Sequence, residues 1–140
     1  MKKTLIVLAT VLMFAILMVG CVVLGDRILA DQMISKYSDD QNYVELSGTV
    51  VECDEDWLVI RCDELIKYIP YQTGDCPYEI YSTEPISLDV GDEIRFVTVP
   101  FHFYNGHDLP IVELTKDGVT LLEFEEGKEN LLNWVQETFG

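Results

Sequence analysis

The chain has 140 residues and a formal net charge of −16, with 25 acidic residues against nine basic ones. All the acidic residues follow residue 25, so this part repels phosphate backbones and anionic lipid, and we expect no nucleic-acid partner. The length allows one small domain with a single core, and its many Val, Ile, Leu, Tyr and Phe residues exclude a disordered acidic chain.

An uncharged segment of 22 residues, 4–25, opens the chain. It is longer than the apolar part of a cleavable signal and matches the roughly 20 residues that a helix needs to cross a bilayer. Two lysines precede it, while Asp26 and Arg27 cancel each other after it, so the N-terminus is predicted to stay in the cytoplasm. Residues 1–25 are therefore predicted to be a single-pass cell-membrane anchor with an extracytoplasmic C-terminal domain.

Gly20 before Cys21 supports a second interpretation. A small residue followed by cysteine after an apolar run resembles the cleavage site of bacterial lipoprotein signals, and the resemblance implies cleavage and lipidation at Cys21. The apolar residues 22–24 continue the run where mature lipoproteins turn polar, which favours the uncleaved span. Both interpretations tether the domain to the outer face of the membrane.

Residues 26–42 are predicted to continue the helix as a short stalk or linker. Leu29, Met33 and Tyr37 follow one another at four-residue spacing with polar residues between them, which is typical of one helix face. The helix should end near Ser38.

From residue 43 the pattern changes to short runs of β-branched and aromatic residues separated by turn residues, which predicts a small all-β domain over 43–140. The predicted strands are 43–53, 57–62, 65–71, 78–82, 93–104, 108–115 and 119–124. The C-terminal segment spaces Leu131, Val135 and Phe139 for a short amphipathic helix with Asn130 as N-cap, expected to cover an open barrel end.

Two hairpins carry register predictions. The first is expected to turn at residues 54–57, which places Cys62 opposite Thr49. The second is expected to turn at Asn105-Gly106, a type I′ sequence. Its register would put one apolar face into the core: Val97, Val99, Phe101, Phe103, Pro110, Val112 and Leu114.

"VELSGTVVE" and "LDVGDEIRFV" resemble parts of small OB-like β-barrel domains found outside the membrane of Gram-positive bacteria, as membrane-anchored or lipoprotein-type proteins that are mostly uncharacterised. The resemblance spans about residues 43–115 and implies a small antiparallel β-barrel, OB-like. The connection 72–91 departs from it, since no helix is predicted there.

Three cysteines follow the anchor, and an oxidising exterior permits disulfides. In the predicted register Cys53 and Cys62 lie too far apart to pair, whereas Cys76 is free to meet Cys62 or Cys53. The alternative is three reduced cysteines packed as small hydrophobic residues.

His102 and His107 are diagonal neighbours in the second predicted hairpin, within range of a shared metal ion if a third ligand joins them. The acidic residues 54–56, with Asp63 and Glu64, offer oxygen ligands to calcium. The alternatives are a solvated hairpin tip and a solvated acidic turn.

Aromatic residues concentrate in and near the predicted third strand and the connection after it, where they suit a surface for sugar rings or a peptide. Half-buried tyrosines that complete a small core are the alternative. The residues are Trp57, Tyr68, Tyr71, Tyr78 and Tyr81.

No serine-hydrolase or zinc-protease motif occurs in the sequence. The sequence therefore predicts a non-enzymatic, membrane-tethered extracytoplasmic module that binds a protein or cell-wall ligand without a cofactor. The alternative is a metal- or calcium-binding accessory domain at the cell surface. A third hypothesis is a cell-wall hydrolase that uses paired carboxylates.

Overall fold

The computed structural model describes residues 1–72, 74–103 and 106–140. Over these residues the chain forms a long N-terminal helix, a curled mixed sheet of seven strands and a C-terminal helix. In chain order the elements are α1 (Lys2–Ser38), a 3-10 helix (Asp40–Asn42), β1 (Val44–Cys53), β2 (Trp57–Arg61), a second 3-10 helix (Asp63–Lys67), β3 (Asp75–Ile80), β4 (Glu93–Thr98), β5 (Leu109–Ile111), β6 (Glu113–Lys116), β7 (Val119–Leu122) and α2 (Phe124–Phe139).

Helix α1 contains the whole apolar segment and continues beyond it without a break. Residues 1–28 are exposed, and the helix is long and apolar enough to cross a membrane, a criterion that N-terminal signal sequences also meet. It ends at Ser38, and the Asp39 side chain then accepts a hydrogen bond from the Gln41 N–H at 3.0 Å. The structure is thus compatible with membrane tethering through an N-terminal helix.

The C-terminal part of α1 is packed into the domain. Ala30, Met33 and Tyr37 are 4%, 0% and 3% exposed. They belong to an apolar cluster with Val112 of the sheet region and Leu131 of α2. The segment predicted as a stalk therefore supplies core residues. The core includes residues on both sides of position 43, where the β domain was predicted to begin.

The sheet order is β5-β3-β2-β1-β4-β6-β7. All pairs are antiparallel except β3 and β5, which run parallel. The fully antiparallel barrel predicted from the sequence is corrected to a mixed sheet. The physical reason is that β5 pairs with β3 rather than forming a hairpin with β4.

Residues 109–116 pair with two strands that are not neighbours in the sheet. Their first half, β5, pairs with β3, and their second half, β6, pairs with β4. Between the halves the Val112 N–H donates to the Val97 carbonyl at 3.0 Å. The sheet therefore encloses a core on its inner face, which includes Leu46, Val50, Leu58, Ile60, Tyr78, Phe96 and Leu114.

The second predicted hairpin is wrong in register. Strand β4 ends at Thr98, and Val97 pairs with Glu113 instead of Leu114. Leu114 pairs with Phe96 and lies with it in the enclosed core, while Val97 packs in the second cluster. Tyr104 and the first residue of the predicted Asn105-Gly106 turn lie outside the described residues, so the predicted turn type is not tested.

The first predicted hairpin is confirmed at its turn. The Asp54 N–H donates to the Trp57 carbonyl at 2.7 Å. A β-bulge between Val50 and Glu52 then shifts the ladder by one residue, so Arg61 rather than Cys62 pairs with Thr49. Because of the bulge, Val50 and Cys53 both face the core although three positions separate them, and Val50 is fully buried.

The strand predicted over 65–71 is absent from the structure. A 3-10 helix covers Asp63–Lys67, and the Ile69 N–H donates to the Leu65 carbonyl at 2.9 Å. Leu65 and Ile69 are 1% and 3% exposed within the enclosed core. Their four-residue spacing is the period of a helical turn, which outweighed the β-branched composition.

Helix α2 begins at Phe124, six residues before the predicted cap Asn130, and lies on the outer face of the sheet against α1. Gly127 explains the close packing, because a Cβ at this position would overlap the Val112 backbone. Asn130 instead uses its side-chain amide to donate to the Tyr81 carbonyl at 3.2 Å.

The burial of α1 leads to a prediction about stability. Replacing Met33 with alanine should lower the free energy of unfolding by about 2–5 kcal/mol, because it leaves a cavity in a closely packed cluster. Ile28→Ala is the matched control on the same helix, since Ile28 is 49% exposed. Denaturant unfolding of the full chain in detergent measures both, and equal midpoints would show that α1 does not share the core.

Candidate functional site

Two connections meet at one end of the sheet. Strands β2 and β4 both run antiparallel to β1, so the connections that follow them, 62–74 and 99–108, leave the sheet at the end where β1 begins. Their contact is visible in the rings of Tyr71 and His102, whose centroids lie 6.4 Å apart.

These connections carry much of the exposed apolar surface of the domain. Beyond α1, seven large hydrophobic residues are exposed within the described structure, and four of them lie here. Tyr71 is 76% exposed, Tyr68 46% and Phe101 44%, and Ile66 is the fourth. We call Tyr68, Tyr71, Phe101 and His102 the aromatic surface. Such a concentration is typical of a contact site rather than of scattered surface residues.

A groove continues from the aromatic surface along α1. It encloses about 710 Å³, and Phe101 and Phe103 form one of its walls. We call it the helix groove. Helix α1 and the residues after it form the other wall with Ile28, Asp31, Gln32, Ser35, Lys36, Asp39 and Asn42.

Ring contacts hold the phenylalanine wall in place. Phe101 and Phe103 meet edge to face with centroids 4.8 Å apart, and Phe103 meets Tyr37 of α1 at 5.4 Å. The Lys36 ammonium lies 4.6 Å from the centre of the Phe101 ring, a cation–π distance. The groove therefore combines aromatic faces with one cation, two carboxylates and several hydrogen-bonding groups, which suits recognition of a ligand that is partly apolar and partly polar.

The structure separates the five aromatic residues predicted as a ligand surface. Tyr68 and Tyr71 are exposed together on the 62–74 connection. Tyr78 is fully buried edge to face with Phe96, and Tyr81 is 7% exposed beside Trp134. Trp57 is half-buried at the start of β2, close to the first hairpin turn. Tyr78 and Tyr81 consequently contribute to the interior and not to a surface.

The two histidines contact different parts of the molecule. His102 lies near Tyr71, whereas the His107 ring meets Trp134 at 4.8 Å and Phe139 at 5.8 Å. Among the described residues, no three His, Cys, Asp or Glu side chains are grouped as metal ligands. A metal ion bound by His102 and His107 stays a prediction.

The cysteines are all unbridged thiols in this structure. Cys21 is exposed on α1, Cys62 and Cys76 are buried, and the Cys53 thiol donates to the Leu88 carbonyl at 3.1 Å. Lipidation of Cys21 and a disulfide of Cys76 stay predictions at this point.

The acidic residues predicted as calcium ligands lie in two separate groups. Residues 54–56 form the β1–β2 turn, while Asp63 and Glu64 open the 3-10 helix at the other end of β2. Because β2 separates the two groups, one ion cannot be shared between them without a large rearrangement.

A second groove of about 510 Å³ is more polar. Arg61 and Arg95 line it, and both are already paired, with Asp75 at 2.9 Å and with Glu45 at 3.6 Å. Their charges are therefore balanced within the protein, and this groove offers a ligand less than the helix groove does.

Sequence reasoning missed Lys36, Ile28 and Phe101 as site residues. Phe101 was assigned to the core by strand alternation, and Lys36 and Ile28 to a stalk. Helical spacing places Ile28, Gln32 and Lys36 along one side of α1, which is the signal that the sequence carried.

Comparison with protein-family models gives no match, and neither does comparison with curated protein sequences. Among solved structures the chain is similar to apo-CusF from Escherichia coli, with 15% sequence identity and a TM-score of 0.41. The match covers 54% of this chain and 87% of the other. A likeness of this size supports no inference about the fold or the ligand.

The exposure of the aromatic surface predicts that it can be changed without harm to the fold. Tyr71→Ala should change the free energy of unfolding by less than about 0.5 kcal/mol, because its side chain is mostly in solvent. Tyr78→Ala is the buried counterpart and should cost roughly 3–5 kcal/mol. Thermal unfolding of both variants measures this, and a large loss for Tyr71→Ala would mean that the residue supports the core.

Proposed function

We propose that the protein is a non-enzymatic, membrane-tethered binding module outside the cytoplasm, with a barrel of OB type. The observation that carries the proposal is the continuity of α1, which links an apolar segment of membrane-spanning length to a helix wall that lines a groove. The ligand would be a protein or a cell-wall component at the membrane surface.

The strand pairing supports an OB-type barrel. Strands β1 to β4, with residues 109–116 as a fifth strand, form a closed series in which β1 lies between β2 and β4 and the fifth strand contacts β3 and β4. In OB folds the loop between the fourth and fifth strands takes part in ligand binding. Here that loop is 99–108, which carries Phe101 and His102 of the aromatic surface.

The helix rise sets how far the helix groove lies from a membrane. Ile28 follows the last apolar residue, Gly25, by three positions, which corresponds to roughly 5 Å along the axis. Asp39 lies 14 positions beyond Gly25, at roughly 20 Å. A ligand in the helix groove would thus be held roughly 5–20 Å beyond the end of the apolar segment, close to the lipid headgroups.

Site-specific photo-crosslinking tests the ligand-binding proposal. With a photoreactive residue at Tyr71 or Phe101 of the full chain in its own membrane, we expect discrete adducts with one partner. Val119 is the matched control, because it is exposed and apolar, at 58%, but lies on β7. Adducts of equal intensity at Val119, or none at Tyr71 and Phe101, would contradict a binding role for the aromatic surface.

Protease treatment of intact cells tests the predicted topology. A tag following residue 140 should be removed by external protease, whereas a tag preceding residue 1 should be protected until the membrane is opened, because the lysines before the span keep the N-terminus inside. Loss of the N-terminal tag from the mature protein would instead support cleavage at Cys21. Protection of both tags would refute an extracytoplasmic domain.

A further inference from the structure

Cys62 and Cys76 are brought together by the pairing of β2 with β3. Ile60 pairs with Cys76 and Arg61 with Asp75, so Cys62 lies diagonally across the ladder from Cys76. Both thiols lie in the enclosed core, at 5% and 1% exposed. They were separated by 13 residues in the sequence, and only the observed register makes them neighbours.

The distance between diagonal neighbours is close to that of a disulfide. Their Cα atoms are typically about 7–8 Å apart and their Cβ atoms closer, while disulfides span Cα distances up to roughly 6.8 Å. Cys62 is the first residue after β2 and is the N-cap of the 3-10 helix, so its backbone lies outside the ladder. Its Cα needs to move only about 1 Å closer to that of Cys76 to come within disulfide range.

Neighbouring interactions fix the two strand ends. Arg61 holds Asp75 through two hydrogen bonds, from Nε to Oδ1 at 2.9 Å and from Nη2 to Oδ2 at 3.3 Å. These residues immediately precede Cys62 and Cys76, so the bidentate pair keeps the cysteines in register.

Cys53 is not a competitor for either thiol. It pairs with Leu58, which pairs in turn with Tyr78 on β3. Two strand spacings of about 4.8 Å and two further residues along β3 separate it from Cys76, well beyond disulfide reach. Its thiol donates instead to the Leu88 carbonyl at 3.1 Å.

We propose that Cys62 and Cys76 form a disulfide that closes the loop 63–75. The oxidant is a small-molecule or protein disulfide outside the cytoplasm. One cysteine thiolate attacks it and releases one thiol, and the second cysteine then displaces the other thiol from the mixed disulfide. Two protons and two electrons leave the pair, and the oxidant becomes two thiols.

The bond forms during folding rather than afterwards. Burial raises the pKa of the Cys62 thiol and raises that of Cys76 to about 11, so in the folded protein both are protonated and shielded at neutral pH. Once closed, the bond is protected from reductants for the same reason. The loop that it closes carries Tyr68 and Tyr71, so the disulfide would also fix half of the aromatic surface.

Peptide mapping of the refolded full chain tests the pair. After reduction and unfolding, the detergent-solubilised protein is refolded in a glutathione redox buffer, free thiols are blocked with N-ethylmaleimide, and trypsin is added without reductant. Cleavage after Lys36, Arg61, Lys67 and Arg95 puts the three cysteines on separate peptides: 37–61, 62–67 and 68–95. We expect peptide 62–67 to be linked to peptide 68–95, with Cys53 blocked by N-ethylmaleimide. The proposal would be overturned if Cys62 and Cys76 were both blocked, or if either of their peptides were linked to 37–61.

A matched pair of variants adds a functional measurement. Cys53→Ala refolded in reductant should melt roughly 10 °C below the same variant refolded in the redox buffer, as for the unmodified chain, because an open 15-residue loop restores entropy to the unfolded state. Cys62→Ala should show no such response. The peptide map is made on the unmodified chain. It therefore still tests the proposal if the Cys62→Ala protein fails to fold.

Oxidation of the pair in cells rests on the extracytoplasmic location given under the proposed function. A second experiment distinguishes failure of the disulfide proposal from failure of the location proposal. Thiols are blocked in intact cells before lysis, and the same peptides are examined. The linked peptide in cells upholds both the pair and the location. A linked peptide after refolding but blocked thiols in cells upholds the pair and contradicts the location, since reducing compartments keep thiols free.

Discussion

The packing of Met33 and Tyr37 against the sheet and α2 is the interaction on which the arrangement of the molecule depends. Both residues lie on a helix that also contains the whole apolar segment, and both are buried. From Gly25 to Ala30, the first buried residue, there are five helical positions, or roughly 8 Å. There is no length of chain in which the domain can turn independently of the apolar segment. The orientation of the curled sheet therefore follows that of the helix.

Local patterns in the sequence were sufficient to predict the turn of the first hairpin. They did not reveal the β-bulge between Val50 and Glu52, which shifts the register of that hairpin by one residue. They were also insufficient where a segment has two partners. Residues 109–115 were predicted within one strand, yet β5 pairs with β3 and β6 pairs with β4, two strands that β2 and β1 separate in the sheet. The alternation of apolar and polar residues predicts which face of a strand is buried, but it does not predict which strand pairs with it.

The site shows the same limit. Tyr71 was identified because aromatic residues are frequent around it, whereas Phe101 was assigned to the core by its place in an alternating run. Burial decides between these roles, and burial depends on where β4 ends. Because β4 stops at Thr98, Phe101 lies beyond the ladder and is 44% exposed. The groove beside it needs α1 as its second wall, and sequence alone treated that helix as a stalk.

The aromatic surface rests on a rigid support although it lies on connections. Leu65 and Ile69 hold the 62–74 connection in the enclosed core, and the Arg61–Asp75 pair fixes its ends. On the other connection, Phe103 packs on Tyr37, so the helix that carries the apolar segment also positions Phe101. A surface supported in this way would lose little conformational entropy on binding the proposed ligand, so more of the contact energy would be retained as affinity. Its aromatic side chains are exposed, while the backbone that carries them is held by buried neighbours.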